Sequence, residues 1–246
     1  MLRDAWVLEG GNPGASEAAR QGWIAIQDEA SQAVAHLVAP DPGNTVLDLC
    51  AAPGGKTLLL ARAAGAKGHV IATDLHEHRV RAMKERFEPA GIRNVETLVL
   101  DGAQPLPFER AFDRILVDVP CSGTGTLARH PEIRWKVRLE DIRDLHDRQA
   151  RLLRNALPQL AADGRLVYST CSIEREENEG VVGEVLGELR DTFQIADPRP
   201  AFESLLQESV PLRTILGEDS FFRTFPPEHG TDGFFAAIIE RRNLKT

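Results

Sequence analysis

Cysteine is scarce in this 246-residue chain: Cys50, Cys121 and Cys171 are the whole complement. Three scattered thiols are too few for a disulfide framework, and none forms a Cys-x-x-Cys pair with metal-ligand spacing. An excess of positive charge is also missing. The formal net charge is −8, so bulk charge does not attach this protein to nucleic acid, and any such substrate needs a local basic face. No apolar run approaches the length of a membrane span, and Met1-Leu2-Arg3-Asp4 is not the start of a signal peptide. Internal repeats and low-complexity linkers are absent. Together these absences set the expectation of a soluble protein in the reducing cytoplasm, without metal and without membrane. What is present is 42% hydrophobic residues, enough to bury one large α/β core or two small ones.

The chain is organised around Thr45-Val-Leu-Asp-Leu-Cys-Ala-Ala-Pro-Gly-Gly-Lys-Thr57. The apolar run Val46–Leu49 reads as a buried parallel strand. Small residues then make a tight turn, and Thr57 opens an apolar helix. Strand, small-residue turn and helix N-terminus together form a nucleotide or cofactor pocket, because a ligand can approach the backbone and meet free N–H groups. The stretch lacks the G-x-G-x-x-G spacing, and it misses the P-loop pattern because Cys50 stands where the first glycine belongs.

Residues 1–22 are glycine-rich and read as a lead-in segment, with one domain over 23–246. Ala30, Val34 and Leu37 mark a helix over 27–38, stopped by Pro40-Asp-Pro-Gly43. Further strands are expected at His69–Thr73, Val95–Leu100, Phe112–Val117 and Gly164–Thr170. Helices carry Val80, Met83 and Phe87, then a long run from about Leu139 to Leu160 that Pro158 should kink or shorten, then Val181–Leu189. Phe221–Phe225 and Phe234–Glu240 read as a last pair of strands. The alternation predicts a doubly wound, mostly parallel seven-stranded α/β sheet of Rossmann-like type, with an antiparallel C-terminal edge hairpin.

Chemistry-bearing residues gather at the carboxyl ends of those strands, where open α/β sheets bind ligands. They are Asp48 and Cys50, Asp74, Asp101, Asp118 and Cys121, and Cys171. An acid ending the second strand suits ribose hydroxyls, and one ending the third suits an adenine amino group. Cys121 lies in a Pro-Cys-Ser-Gly-Thr-Gly turn where packing has no need of a thiol. Cys171 lies between a strand and a helix N-terminus, which favours a thiolate, while Glu174, Glu176 and Glu177 oppose it. The residues alone do not choose between the two thiols as nucleophile.

Four motifs in order carry a resemblance: Asp48-Leu-Cys-Ala-Ala-Pro-Gly-Gly-Lys-Thr57, Asp118-Val-Pro-Cys-Ser-Gly-Thr-Gly125, Tyr168-Ser-Thr-Cys-Ser172 with Glu176-Glu-Asn-Glu179, and Thr231-Asp-Gly-Phe-Phe235. They resemble the S-adenosylmethionine-dependent RNA cytosine-5 methyltransferases of the Sun/Nop type, which include bacterial rRNA enzymes. The resemblance runs from about 22–32 to the C-terminal strands. It departs at Ala161-Ala-Asp-Gly164, where that family usually has Pro-Gly-Gly. Family members often carry a further RNA-binding domain, and none is visible in this sequence.

The resemblance implies S-adenosylmethionine as cofactor and RNA as substrate, rRNA ahead of tRNA. It implies Cys171 as nucleophile toward carbon 6 of cytosine, Cys121 as the thiol that assists release, and Asp118 on the pyrimidine edge and the methionine end of the cofactor. Cofactor contacts carry over to Cys50, Ala51, Ala52, Pro53, Gly54, Gly55, Lys56, Asp74 and Asp101, with Lys56 facing either cofactor or base. Arg129, His130, Arg134 and Trp135 supply the expected basic face, with charges for phosphates and Trp135 for stacking on a base; the bland alternative is a solvated helix entrance with a core tryptophan. Three rivals stand beside this reading. One is a P-loop nucleotidase with Lys56-Thr57 on phosphates and Asp118 as the Walker-B acid. The second is a non-catalytic RNA-binding relative, and the third is a methyltransferase for another small molecule or a protein.

Overall fold

A computed structural model describes residues 2, 5–7, 10–109, 111–203, 216 and 220–242. Met1, Arg3, Asp4, Leu8 and Glu9 of the expected lead-in lie outside them. Eight strands are found among the described residues: β1 Thr45–Asp48, β2 His69–Asp74, β3 Val95–Val99, β4 Phe112–Asp118, β5 Leu160–Thr170, β6 Phe193–Ala196, β7 Phe222–Arg223 and β8 Phe235–Arg241. They form one sheet in the order β3-β2-β1-β4-β5-β8-β6, with β7 on β8. Strands β1 to β5 run parallel, and β8 is antiparallel to β5, β6 and β7.

Side-chain alternation along the strands feeds two cores. Leu47, Ile115, Val117, Leu166 and Tyr168 point to one face, where helices α6 (Leu139–Ala156) and α7 (Glu179–Glu188) cover them with Leu152, Leu153, Val181 and Val185. Val46, Val70, Leu116 and Val167 point to the other face, beneath α2 (Glu29–Val38) and α3 (Gly55–Ala64) with Val34, Leu37 and Leu60. Helix α4 (Glu77–Phe87) adds a smaller cluster of Met83 and Phe87 on Leu58 and Ala72. Asp28 caps α2 with one carboxylate oxygen, 2.9 Å from the Ala30 N–H. Among the described residues no helix is long and apolar enough to cross a membrane, and no cluster of His, Cys, Asp and Glu suits a metal ion.

The doubly wound sheet matches the expectation, as does the shortening of the long helix at Pro158, and two strands differ. Helix α6 stops at Ala156, and Leu157–Gln159 forms a 3-10 turn at Pro158, as the missing N–H of proline requires. Strand β5 begins at Leu160, four residues before the expected start; its pairing with β4 shifts register between Phe112 and Arg114. The Ala161–Gly164 stretch, which reads as a turn, is thus an irregular strand start. Strand β6 was not expected at all. It lies outside β8 in the sheet, so the antiparallel C-terminal pair is flanked by one more short strand.

Topology places the site. The chain winds from β1 outward to β3, then returns to the other side of β1 with β4, which opens a crevice at the carboxyl ends of β1 and β4. Because β8 is antiparallel, its first residue pairs with the last of β5, Phe235 opposite Thr170. The Thr231–Phe234 loop therefore arrives at the same edge of the sheet as Cys171.

Candidate active site

The crevice is a cleft of about 290 Å³ lined by Cys50, Ala52, Asp74, Asp118, Cys121 and Cys171, with Leu49, Gly102, Arg148 and Leu152 among its walls. Its volume lies at the small end of the range for ligand sites. Asp74, at the end of β2, is buried; its carboxylate accepts the His76 N–H at 3.0 Å and pairs with Arg79 at 3.2 Å. Asp101 follows β3, where it accepts the Ala103 N–H at 3.1 Å. It is not itself a wall of the cleft, but its neighbour Gly102 is. A side chain at Gly102 would begin 2.9 Å from Leu152 and 3.0 Å from Leu49, so it would push on two leucine side chains of the cleft wall.

The loop after β1 separates this cleft from a smaller one of about 110 Å³, lined by Gln27, Asp48, Cys50, Ala51, Ala52, Pro53, Gly55, Lys56 and Asp118. Gly54 lies in neither wall. It sits at φ 92° as the residue before α3, a left-handed conformation that glycine adopts without strain. Asp48 is fully buried, with one carboxylate oxygen accepting the Thr57 hydroxyl at 2.7 Å and the other without a partner. Burial pushes its carboxyl up to about 7, against the pull of Thr57 and Lys56.

That shift has a signed consequence. The folded protein holds a proton that the unfolded chain releases near pH 4, so the stabilisation from protonated Asp48 is complete below about pH 4 and is lost as pH rises through about 7. Its size is about 4 kcal/mol. Urea unfolding of wild type and Asp48→Asn should therefore show a stability difference that declines from about pH 4 to about pH 8. A pH-independent difference would contradict the assignment.

Lys56 connects the loop to the chemistry. Its ammonium donates to Asp118 Oδ2 at 2.8 Å and lies 5.0 Å from the Phe234 ring centre. The other Asp118 oxygen accepts the Ser169 hydroxyl at 2.7 Å. With both oxygens held, the Asp118 carboxylate cannot rotate freely at the cleft wall.

The two thiols meet beside this group. Cys121 Sγ and Cys171 Sγ are 3.3 Å apart, although 50 residues separate them in the chain. The hydrogen bond from Cys121 lowers the Cys171 pKa, with Lys56 helping and burial and Asp118 opposing. The same contact, with burial and Glu177, raises that of Cys121. Of the two, Cys171 is thus the one that ionises more readily and the better thiolate. Burial likewise pushes the Cys50 thiol far up, and this sulfur packs against the core as a small hydrophobe.

Helix polarity is not the cause of the Cys171 shift. The helix after Cys171, α7, begins only at Glu179. Between them Ser172, Glu177 and Asn178 turn inward while Ile173, Arg175 and Glu176 stay exposed, and Glu177 is buried among hydrogen-bond donors. The opposition to a thiolate expected of Glu177 falls on Cys121, whose pKa it raises.

The expected basic face is divided. Arg129 does not project freely; its guanidinium pairs with buried Asp232, Nε donating to Oδ1 at 3.0 Å. His130 lies 3.6 Å from Glu132. Trp135, 82% exposed, stands on a one-turn helix, α5 (Ile133–Lys136), with the Arg134 guanidinium 5.5 Å from its ring centre. Tryptophan is therefore on the surface and not in the core.

Residues that sequence reasoning passed over complete the site: Ser169 on Asp118, Arg79 on Asp74, Phe234 beside Lys56, and Ser122, Ser172 and Gln149 on Glu177. Phe234, Ser122, Ser169, Ser172 and Glu177 all lie inside the four quoted motifs, which was the available signal.

A family model described as 16S rRNA methyltransferase RsmB/F matches residues 35–240, a span that holds every group of the cleft. The chain belongs to the RsmB/F methyltransferase family. It is 42% identical over 227 residues to the ribosomal RNA small subunit methyltransferase B of Yersinia pseudotuberculosis (serotype O:1b), covering 89% of this chain and 48% of that protein. It is 38% identical over 224 residues to the protein of the same name from Proteus mirabilis, covering 90% and 47%. The structure of NSun6 from Pyrococcus horikoshii with SFG superposes with a TM-score of 0.80 at 28% identity, covering 94% of this chain and 56% of that one. This RsmB/F chain thus spans about half the length of the curated relatives it matches. A P-loop site is disfavoured within an RsmB/F fold, and the geometry agrees: the Thr57 hydroxyl is committed to Asp48 and the Lys56 ammonium to Asp118.

Proposed function

We propose that residues 23–246 form the catalytic unit of an S-adenosylmethionine-dependent RNA cytosine-5 methyltransferase, acting on rRNA in preference to tRNA, in the cytoplasm. The observation that carries this reading is the pair of thiols 3.3 Å apart at a cleft whose wall also holds Asp118. Carbon 5 of cytosine is a poor nucleophile, and a thiolate added to carbon 6 is the means of activating it.

The cleft chemistry suits the cofactor: a buried carboxylate, Asp74, for ribose hydroxyls, and the apolar side chains of Leu49 and Leu152 beside Gly102 for a flat ring. Cys50 to Lys56 and Asp101 complete its surroundings. When bound, S-adenosylmethionine supplies an electrophilic methyl group. The protein's own groups do the rest. Cys171 Sγ bonds to carbon 6 of the target as the carbon 5–carbon 6 double bond opens, which places electron density on carbon 5, while Asp118 holds the pyrimidine edge and Lys56 faces the cofactor or the base. After methylation the carbon-5 proton passes to solvent, its bonding pair re-forms the carbon 5–carbon 6 double bond, and the sulfur–carbon bond breaks so that Cys171 leaves as thiolate. Cys121, in contact with that sulfur, is placed to assist this last stage.

Two measurements bear on binding. Asp74→Ala should weaken S-adenosylmethionine binding by about 1–3 kcal/mol in titration calorimetry, the scale of hydrogen bonds to a charged group. Tight binding of ATP–magnesium with no S-adenosylmethionine signal would overturn the cofactor assignment. For RNA, Arg134→Glu should lower affinity across a salt series and flatten its slope by about one. Arg129→Glu should instead destabilise the fold, since it sets a second carboxylate against buried Asp232. The test of the whole reading is methyl transfer to 16S rRNA and to tRNA with nucleoside mass spectrometry. It should yield 5-methylcytosine, in rRNA first; methylation of another atom, or none with a proven RNA, would overturn it.

A further inference from the structure

Glu177 is fully buried, yet the activity proposed above gives it no task. Four donors converge on its carboxylate. Oε1 accepts the Ser122 N–H at 2.8 Å and the Gln149 amide at 2.9 Å, and Oε2 accepts the Ser122 and Ser172 hydroxyls, each at 2.5 Å. Ser122 directly follows Cys121, and Ser172 directly follows Cys171. The two serine hydroxyls also lie 3.1 Å apart. Gln149 reaches the other side of Cys121 as well, donating to Pro120 O at 2.9 Å, and the Tyr168 hydroxyl fixes the Glu177 carbonyl at 2.6 Å. One side chain therefore ties the turn that carries one thiol to the turn that carries the other.

We propose that Glu177 is a positioning residue for the thiol pair: by bridging Ser122 and Ser172 it fixes the Cys121–Cys171 contact and so decides which sulfur is the nucleophile. This inference rests on the methyl-transfer reading for its purpose but not for its test. A buried carboxylate is retained at such a place only if its donors are all satisfied, and here its bonds run to the two turns that hold the thiols. Its charge also acts in the required sense, since it disfavours a thiolate at Cys121. The charged or titratable groups facing Cys171 are Cys121, Asp118 and Lys56, none of which is altered in the variants below.

The experiment is competitive alkylation of the RNA-free protein by iodoacetamide across a pH series, with Cys50, Cys121 and Cys171 peptides quantified by mass spectrometry. In wild type, Cys171 should react ahead of Cys121 and keep that lead to lower pH. In Glu177→Gln the Cys171-to-Cys121 rate ratio should fall by about fivefold or more, as the bridge between the two turns is weakened and the charge that disfavours a Cys121 thiolate is gone. Labelling of Cys50 and affinity for S-adenosylmethionine, which a loss of fold would change, should stay as in wild type. If Glu177→Gln does not fold, Ser172→Ala decides by the same threshold, because it cuts the bridge to the Cys171 turn while the Ser122 N–H, the Ser122 hydroxyl and the Gln149 amide still satisfy both carboxylate oxygens. A smaller change in the ratio in the folded variant overturns the proposal. Because the readout needs no RNA, absence of methyl transfer would count against the proposed function and leave this result standing.

Discussion

Cys171→Ala should abolish methyl transfer to RNA, by on the order of 10⁴-fold or more, the scale on which loss of an obligatory nucleophile acts. Cys121→Ala should behave differently. With its thiol gone, the neighbouring Cys171, 3.3 Å away in wild type, still adds to carbon 6, but release of the product is impaired. Turnover should fall about 10²- to 10⁴-fold, the range for a lost proton-transfer group, while a protein–RNA band accumulates on denaturing gels with ordinary RNA. The asymmetry is the point of the test, because the two thiols sit at the ends of adjacent strands and are equivalent in sequence reasoning. A band in Cys171→Ala that is missing in Cys121→Ala would reverse the roles.

Gly125→Ala should damage both stability and turnover, for a reason of backbone packing. A Cβ at Gly125 would lie 2.0 Å from the Gly233 carbonyl oxygen and 2.9 Å from that of Cys171. The three segments are already joined there, with Gly125 N–H donating to Cys171 O at 3.0 Å and Gly233 N–H donating to Gly125 O at 2.8 Å. Neither contact is with a flexible side chain, so the turn must move. Overpacking of this kind costs about 1–3 kcal/mol or more, which lowers the melting temperature by about 2–4 °C for each kcal/mol in a chain of this size. Displacement of the Pro-Cys turn by about 1 Å should cost on the order of 10²-fold in turnover. Calorimetry and a methyl-transfer assay check both; a melting temperature and rate equal to wild type would contradict the packing.

The strand-turn-helix at 45–64 was legible because its signals are local: an apolar run, small residues in the turn, and helical spacing afterwards. Pro158 announced the end of α6 for the same reason. Strand β6 was hidden because only Phe193 of its four residues is buried and Gln194 and Ile195 are both exposed, so no alternation marks it. The strand-end residues were legible as a series, since a parallel sheet brings every carboxyl end to one edge. Their partners were not. Glu177 reads as one of three acids beside Cys171, and only the fold shows that Ser122, 55 positions away, turns toward it. Arg129 reads as a phosphate ligand until Asp232, 103 positions away, is seen to hold it. Long-range polar pairs of this kind leave no periodicity, and the pattern of one chain cannot reveal them.

The most direct test of the thiol chemistry uses wild-type protein, S-adenosylmethionine and an RNA substrate carrying 5-fluorocytosine at the methylated position. Fluorine cannot leave as a proton, so the protein should stay bonded to the RNA and survive denaturing electrophoresis. Digestion and mass spectrometry of that band should find the pyrimidine on the peptide containing Cys171. A linkage through Cys121, or no band at all with a substrate that the enzyme demonstrably methylates, would contradict the assignment of Cys171 as the attacking sulfur.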